Sequence, residues 1–163
     1  MTNTINTQGF RYNNVRTTEG QQKKHIQQMT RQETSYLQQK LDTLNYNRTT
    51  FAKHFFDKDL GVTAFDVIKI LKNKQYSIIE YNETPLRLEG TTDKRILVRT
   101  NTTRTIEVME ANIVSKHIVE LCIVISITNN LVVTGYYNAV DDKHYTINWS
   151  RYCKGLQIID VRV

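Results

Sequence analysis

Two histidines and two arginines have the types and spacing that phosphate chemistry requires. His54 follows Lys53 in a short stretch predicted to be helical, and an unperturbed imidazole exchanges protons near neutral pH. Arg95 and Arg99 lie four apart in an alternating run, so a strand would place both on one face. With His144, these groups could cleave RNA without a metal. One side chain would accept the 2′-OH proton, another would protonate the 5′-oxygen, and a cation would stabilise the phosphorane.

The segment from Thr134 to Thr146 is denser in hydrogen-bonding side chains than the end of a structural strand needs to be. Asp142 could orient His144, and the hydroxyl of Thr146 could bind a phosphate oxygen. The predicted catalytic set is His54, Arg95, Arg99, His144 and Thr146. The residues predicted to bind RNA are Arg11, Arg16, Lys23, Lys24, Lys53, Tyr137, Asn138, Arg151 and Tyr152. A solvent-facing helix residue, an ordinary solvated strand face and a plain polar loop stay open as alternatives.

The positive charge is concentrated in the N-terminal third. Residues 1–58 contain nine Lys and Arg against four Asp and Glu, whereas residues 59–163 contain thirteen against twelve. The first 50 residues also hold 24 Gln, Asn and Thr and few large apolar side chains. A basic arm on a nearly neutral body indicates a polyanionic partner, RNA in the first place. A merely solubilising tail is the alternative.

Several classes of protein do not fit the sequence. No apolar run approaches the roughly 20 residues of a membrane-spanning helix, and the N-terminus lacks the pattern of a secretory signal. Cys122 and Cys153 have no metal-ligand spacing, and Cys122 lies in an apolar run typical of a buried strand. We expect a cytoplasmic protein that uses no metal and no cofactor.

Three parts are predicted along the chain. Residues 1–20 form a disordered basic and polar arm, residues 21–48 contain a polar helix, and residues 49–163 form an α+β domain. The polar helix, from about Gln21 to Leu44, has only a sparse apolar stripe. It therefore needs the domain, a ligand or a second copy of itself, and a homodimer through residues 21–44 is one outcome.

Two shorter helices are predicted to begin the domain. The first starts at Thr49 or Thr50 and ends near Leu60. The second has Thr63 as its N-cap, with Asp66 three residues later in a variant of the capping box, and it ends near Asn73.

After Asn73 the apolar period changes to two. The predicted strands are Tyr76–Tyr81, Arg95–Arg99, Thr105–Met109, Leu121–Thr128, Leu131–Tyr137 and Ile158–Val163. Asn129 and Asn130 suit a tight hairpin because asparagine tolerates positive φ, and Pro85 is placed in a loop. The fold class is α+β, with N-terminal helices followed by a twisted antiparallel sheet of about 5–6 strands.

The order of these motifs resembles the superfamily that groups barnase, EndoU, the RNase colicins and RelE-like toxins, in its small members from toxins and mobile elements. The resemblance covers roughly residues 50–163. The matching stretches are Phe51-Ala52-Lys53-His54, Ile78-Ile79-Glu80-Tyr81, Arg95–Arg99, and Thr134-Gly135-Tyr136-Tyr137-Asn138 through Asp142-Lys143-His144-Tyr145-Thr146.

The resemblance implies a metal-independent endoribonuclease. It implies His54 and His144 as acid and base candidates, Arg95 and Arg99 on the phosphate, and Thr146 as an orienting hydroxyl. Which histidine is the base stays open.

We therefore expect an endoribonuclease, or a relative of one, that acts on RNA or a ribonucleoprotein. The alternative is a non-enzymatic protein of a phage or plasmid that inhibits a host nucleoprotein, such as an anti-CRISPR protein that blocks a CRISPR effector or cleaves its guide RNA. A DNA-binding regulator that uses the helices of residues 50–73 is a third, less favoured reading.

Overall fold

A mostly antiparallel sheet with helices on one face organises the part of the chain that the structure describes. The structure is a computed structural model, and it describes residues 10–11, 22–85, 90–142, 152–153 and 155–159. The helices are α1 (Arg31–Asp42), α2 (Lys53–Asp57) and α3 (Ala64–Lys72). The strands are β1 (Phe10–Arg11), β2 (Gln22–His25), β3 (Thr50–Phe51), β4 (Tyr76–Pro85), β5 (Thr92–Glu110), β6 (Ile113–Ser126) and β7 (Leu131–Ala139).

The strands lie in the order β1-β7-β6-β5-β4-β2, and β3 pairs with another stretch of β7. The pairs from β7 through β2 are antiparallel, whereas the short strands β1 and β3 run parallel to β7. The central strands β5 and β6 are rich in the β-branched residues that fit a pleated surface. The predicted α+β class, with helices and a sheet of this size, is confirmed.

The two faces of the sheet differ in character. Ile96 and Val98 of β5 belong to the main core together with Leu37 of α1 and Leu71 of α3. Leu97, which lies between them, belongs to a smaller apolar group on the opposite face. We call this second face the polar face. Pairing register assigns to it Glu80, Asn82, Arg95, Leu97, Arg99, Glu120, Cys122, Tyr136 and Asn138, with Asp93 at its margin.

Helix α3 begins as the sequence predicts. Thr63 accepts a hydrogen bond from the backbone N–H of Asp66, and the carboxylate of Asp66 accepts one from the backbone N–H of Thr63. This reciprocal capping box satisfies two N–H groups that a helix start leaves without intrahelical partners. Val67 and Leu71 then face the core.

The N-terminal helix begins at Arg31 and not at Gln21, so the predicted start is wrong. Residues 22–25 form β2 along the edge of β4, and Thr30 caps α1 with Glu33 as its capping-box partner. Leu37 and Leu41 of α1 are buried in the core. The apolar stripe that motivated a homodimer is therefore covered within the chain, and the homodimer itself stays a prediction.

Several predicted boundaries also change. β5 is one continuous strand that includes the separate strand predicted at Thr105–Met109, and β4 extends through Pro85, which was placed in a loop. The helix predicted from Thr49 or Thr50 begins only at Lys53, because Thr50–Phe51 pairs with β7. Of the strand predicted at Ile158–Val163, the first two residues form a bend, and residues 160–163 lie outside the described residues.

The predicted hairpin between β6 and β7 is confirmed, but its turn is longer than the two asparagines: Ser126 pairs with Leu131, and residues 127–130 form the loop, in which Asn130 has a φ of 50°. A second hairpin turn, at Ala111 and Asn112, joins β5 to β6 with φ values of 50° and 65°. The sequence pattern did not predict that turn, because alanine is rare at positive φ.

A buried ion pair ties the N-terminal strand to the helix layer. The Nζ of Lys24 lies 2.7 Å from Oε1 of Glu33 and also donates to the carbonyl oxygen of Leu156. Burial raises the pKa of the Glu33 carboxyl, but hydrogen bonds from Lys24 and from the N–H groups of Thr30 and Ile158 outweigh it and leave that pKa below its usual value. Glu33 therefore links β2, α1 and the C-terminal segment as a carboxylate.

We expect Glu33→Gln to lower the free energy of unfolding at pH 7 by about 2–4 kcal/mol, because it leaves Lys24 buried without its counter-charge. A carboxyl group with a lowered folded pKa stabilises the protein above its unfolded pKa and loses that contribution as pH falls. The difference in the free energy of unfolding between wild type and Glu33→Gln should thus shrink below about pH 4.5. Urea unfolding at several pH values measures it.

The matched control is the exposed pair of Lys74 and Asp42, whose nitrogen and oxygen are 3.2 Å apart. Lys74→Gln should cost less than about 1 kcal/mol. This account is contradicted if both variants lose the same free energy of unfolding, or if the loss in Glu33→Gln grows toward acidic pH.

Candidate active site

His54 is brought to the sheet by the short helix α2. Phe55 turns inward, where its ring lies 2.8 Å from the point that a Cβ on Gly135 of β7 would occupy. On the other flank, Nζ of Lys58 donates to Oγ1 of Thr134 at 2.6 Å and to the carbonyl oxygen of Gly135 at 3.1 Å. The helix is thus fixed on the edge of β7, and the side chain of His54 is exposed.

The surroundings of His54 favour its neutral form. Partial burial lowers its pKa most, the charge of Lys58 lowers it further, Asp57 opposes the shift, and the charge of Arg95 adds to it. The pKa of His54 therefore lies below its usual value of 6.5. At neutral pH the imidazole is a base that can accept a proton. The charge of Arg95, on the polar face, thus acts on His54 in the same direction as that of Lys58.

Arg95 is held by a buried carboxylate. Its Nε donates to Oδ2 of Asp93 at 2.6 Å, and Asp93 is only 2% exposed. The other oxygen of Asp93 accepts a hydrogen bond from Oγ of Ser126, which itself accepts the backbone N–H of Asn129. Among the described residues Arg95 makes no further hydrogen bond, so its two terminal nitrogens are left for a ligand.

Arg99 shares the polar face with Arg95, as the alternation predicts, but it is buried. Its guanidinium donates to the carbonyl oxygens of Ala139 and Asp142 and lies 3.4 Å from a carboxylate oxygen of Glu120. These contacts fix the turn that follows β7. The guanidinium of Arg99 is therefore not accessible to a phosphate beside Arg95. The two arginines share a face, but they do not form the predicted phosphate-binding pair.

Other residues predicted to bind RNA are also engaged inside the protein. Lys23 and Lys24 are each 7% exposed, and both lie in β2 beside carboxylates and not on a free arm. The hydroxyl of Tyr137 donates to the carbonyl oxygen of Leu60 at 2.6 Å. The side-chain amide of Asn138 donates to the carbonyl oxygen of Asp142 at 2.8 Å.

Lys53 is exposed at the start of α2, next to His54. The backbone of Arg11 pairs with Asn138 of β7. The remaining predicted positions lie outside the described residues. They are Arg16, His144, Thr146 and Arg151.

A buried polar group on the polar face was not predicted. Burial raises the pKa of Glu80, and the charge of Lys23 and a hydrogen bond from the Tyr152 hydroxyl partly oppose that shift. The Tyr152 hydroxyl lies 2.8 Å from Oε1 of Glu80, and the ring of His25 meets the Tyr152 ring edge-on at 5.5 Å. The group joins β2 and the C-terminal segment to β4. A lone carboxylate within the apolar run Ile78–Tyr81 was the available signal.

No family model, no curated protein and no solved structure matches this chain. The resemblance drawn from the motifs stays a prediction. No helix in the described part of the chain is long and apolar enough to cross a membrane. Within the same residues, no group of three or more His, Cys, Asp and Glu side chains is placed to hold a metal ion.

The effect of the Arg95 charge on His54 can be tested by spectroscopy. We expect an NMR titration to give His54 a pKa below 6.5, and Arg95→Gln to raise it, because removal of the positive charge favours the imidazolium form. Arg31→Gln, at the start of α1, removes the same charge elsewhere and should leave the titration unchanged. A His54 pKa that does not respond to Arg95→Gln would show that the two groups are not neighbours.

Proposed function

We propose that the protein is a metal-independent endoribonuclease whose catalytic centre includes His54 of α2 and Arg95 of the polar face. The observation that carries this proposal is the exposed His54 of α2, whose pKa is lowered by partial burial and by the charges of Lys58 and, further, Arg95. His54 is a base at neutral pH, and Arg95 supplies a guanidinium with its terminal nitrogens available. Together they supply two of the three functions that cleavage of RNA by its own 2′-hydroxyl requires.

The proposed reaction begins when neutral His54 accepts the proton of a ribose 2′-OH. The 2′-oxygen then attacks the adjacent phosphorus, and Arg95 stabilises the negative charge on the non-bridging oxygens. The bond from phosphorus to the 5′-oxygen breaks, which leaves a 2′,3′-cyclic phosphate. The departing 5′-oxygen takes a proton from a second group, for which His144 is the candidate.

The fixed position of Arg95 supports this role. Its Nε is bound by Asp93, whose second oxygen is bound by Ser126, so the guanidinium does not have to be ordered when substrate arrives. A preorganised cation stabilises developing charge without a further entropic cost. Asp93 and Ser126 are in this view positioning residues.

The test is cleavage of RNA in the presence of EDTA. We expect His54→Ala to lower the rate of cleavage by about 10²–10⁴-fold, the usual contribution of a general base. Arg95→Gln should lower it by about 10²-fold, comparable to the removal of one oxyanion donor. Mass spectrometry should find 2′,3′-cyclic phosphate ends.

The matched control is His117, a histidine of β6 that lies away from α2 in the register of the sheet. His117→Ala should cleave at the wild-type rate. The nuclease proposal fails if the wild type leaves every RNA intact, or if His54→Ala and His117→Ala have the same activity.

A second candidate function is binding to a protein partner without catalysis, and one observation favours it. β4 pairs with β5 only as far as Thr100, and β7 pairs with β6 only from Val119, so beyond these points β5 and β6 continue as a two-stranded ribbon. Four large apolar side chains on this ribbon are 52–69% exposed. They are Met109, Ile113, Val114 and Ile118. Exposed apolar groups of this kind often mark a protein interface.

A variant of the ribbon distinguishes the two candidate functions. If the ribbon is the interface, the wild type should capture a protein partner from host lysate, and this capture should depend little on salt. The double variant Val114→Lys, Ile118→Lys should abolish the capture and leave RNA affinity unchanged. If the nuclease proposal holds, the same variant should cleave a short RNA at the wild-type rate. RNA affinity itself should fall steeply with salt.

A further inference from the structure

Phe56 is an exposed aromatic ring in a fixed position two residues after His54. Its side chain is 54% exposed. The ring lies 5.7 Å from the ring of Phe51 and 5.5 Å from that of Phe55, to which it is nearly perpendicular. These contacts hold the ring while one side of it faces solvent. An aromatic platform of this kind stacks nucleobases of any sequence.

The ring borders a pocket of about 300 Å³ between α2 and α3. The pocket is lined by Phe55, Phe56 and the loop of residues 59–63. This volume is at the lower end of the range for small-molecule sites and is sufficient for a single base.

The loop that closes the pocket is tightly held. The carbonyl oxygen of Leu60 accepts hydrogen bonds from the Tyr137 hydroxyl at 2.6 Å and from Nη1 of Arg104 at 2.9 Å. Gly61 has a φ of +75°, and a Cβ there would meet Nη1 of Arg104. L side chains rarely adopt this backbone conformation, so position 61 favours glycine.

Charged side chains of both signs lie around the pocket. Arg104 lies against the loop at Gly61, and Lys53 is exposed at the start of the same helix as Phe56. Asp59 lines the pocket with an exposed side chain, and within the described residues its carboxylate has no hydrogen-bond partner. A carboxylate accepts hydrogen bonds from the N–H groups on the edge of a base.

We propose that this pocket binds one unpaired nucleobase of the RNA strand that His54 cleaves, so that the substrate is single-stranded RNA. Residues two apart leave a helix on nearly opposite sides, so Phe56 and His54 flank α2. The stacked base therefore belongs to a neighbouring nucleotide and not to the scissile one. A base within a duplex is covered on both faces and cannot enter. The identity of the strand as substrate rests on the proposed function, whereas the binding of the base does not.

Binding is measured in a His54→Ala background, which prevents cleavage, by fluorescence anisotropy of a labelled eight-nucleotide RNA. Phe56→Ala should weaken binding of the single strand by about 5- to 150-fold, the effect of losing one stacked base. Phe56→Trp should bind within about twofold of the parent, because it keeps a stacking surface. The same RNA in a duplex should bind more weakly and should not respond to Phe56→Ala.

Phe65 provides the matched control. It is 75% exposed on α3 and is not part of the pocket lining. Phe65→Ala should leave affinity unchanged, and urea unfolding of Phe56→Ala should confirm that the variant is folded. The base pocket is contradicted if Phe56→Ala binds like the parent, if Phe65→Ala loses as much affinity, or if Phe56→Trp fails to restore binding.

The same Phe56 variants with His54 intact distinguish this inference from the proposed function. If wild type cleaves RNA, and Phe56→Ala binds RNA with the same affinity and cleaves it at the same rate, binding of a base in the pocket is excluded and the nuclease proposal stands. If single-stranded RNA binds through Phe56 and no RNA is ever cleaved, the nuclease is excluded and the pocket stands.

Discussion

The packing of Phe55 and Leu60 against the bare backbone of Gly135 determines where helix α2 lies on the sheet. Both side chains come within 3.0 Å of the position that a Cβ on Gly135 would fill, so α2 can dock only because that residue is glycine. With α2 docked in this way, His54 is exposed to solvent and Phe56 borders the pocket. One short helix therefore serves both proposed sites.

The charged groups of the sheet divide into those that the fold uses and those that remain accessible. Glu33 and Glu80 are buried with lysine partners and join terminal segments to the sheet and to α1. Arg99 is buried against backbone carbonyl oxygens. Burying charge is tolerated where each group gains a partner. Arg95 differs because Asp93 satisfies only its Nε, which leaves a preorganised cation at the surface.

The sequence was informative where a local pattern decides the structure. The capping box at Thr63, the β6–β7 hairpin and the shared face of Arg95 and Arg99 follow from neighbours along the chain. It failed where a distant partner decides. Lys24 looked like part of a solvated basic arm, since its neutralising carboxylate and the edge of β4 are not visible in local sequence. Burial of Arg99 likewise depends on a turn some forty residues later.

The most direct test of the account is the dependence of kcat/KM on pH for cleavage of a short single-stranded RNA. The acidic limb of this profile reports the base of the free enzyme. The account requires that limb to fall at the pKa that NMR gives for His54, below 6.5. A limb at a different pH, or a rate independent of pH across this range, would contradict the assignment of His54 as the base.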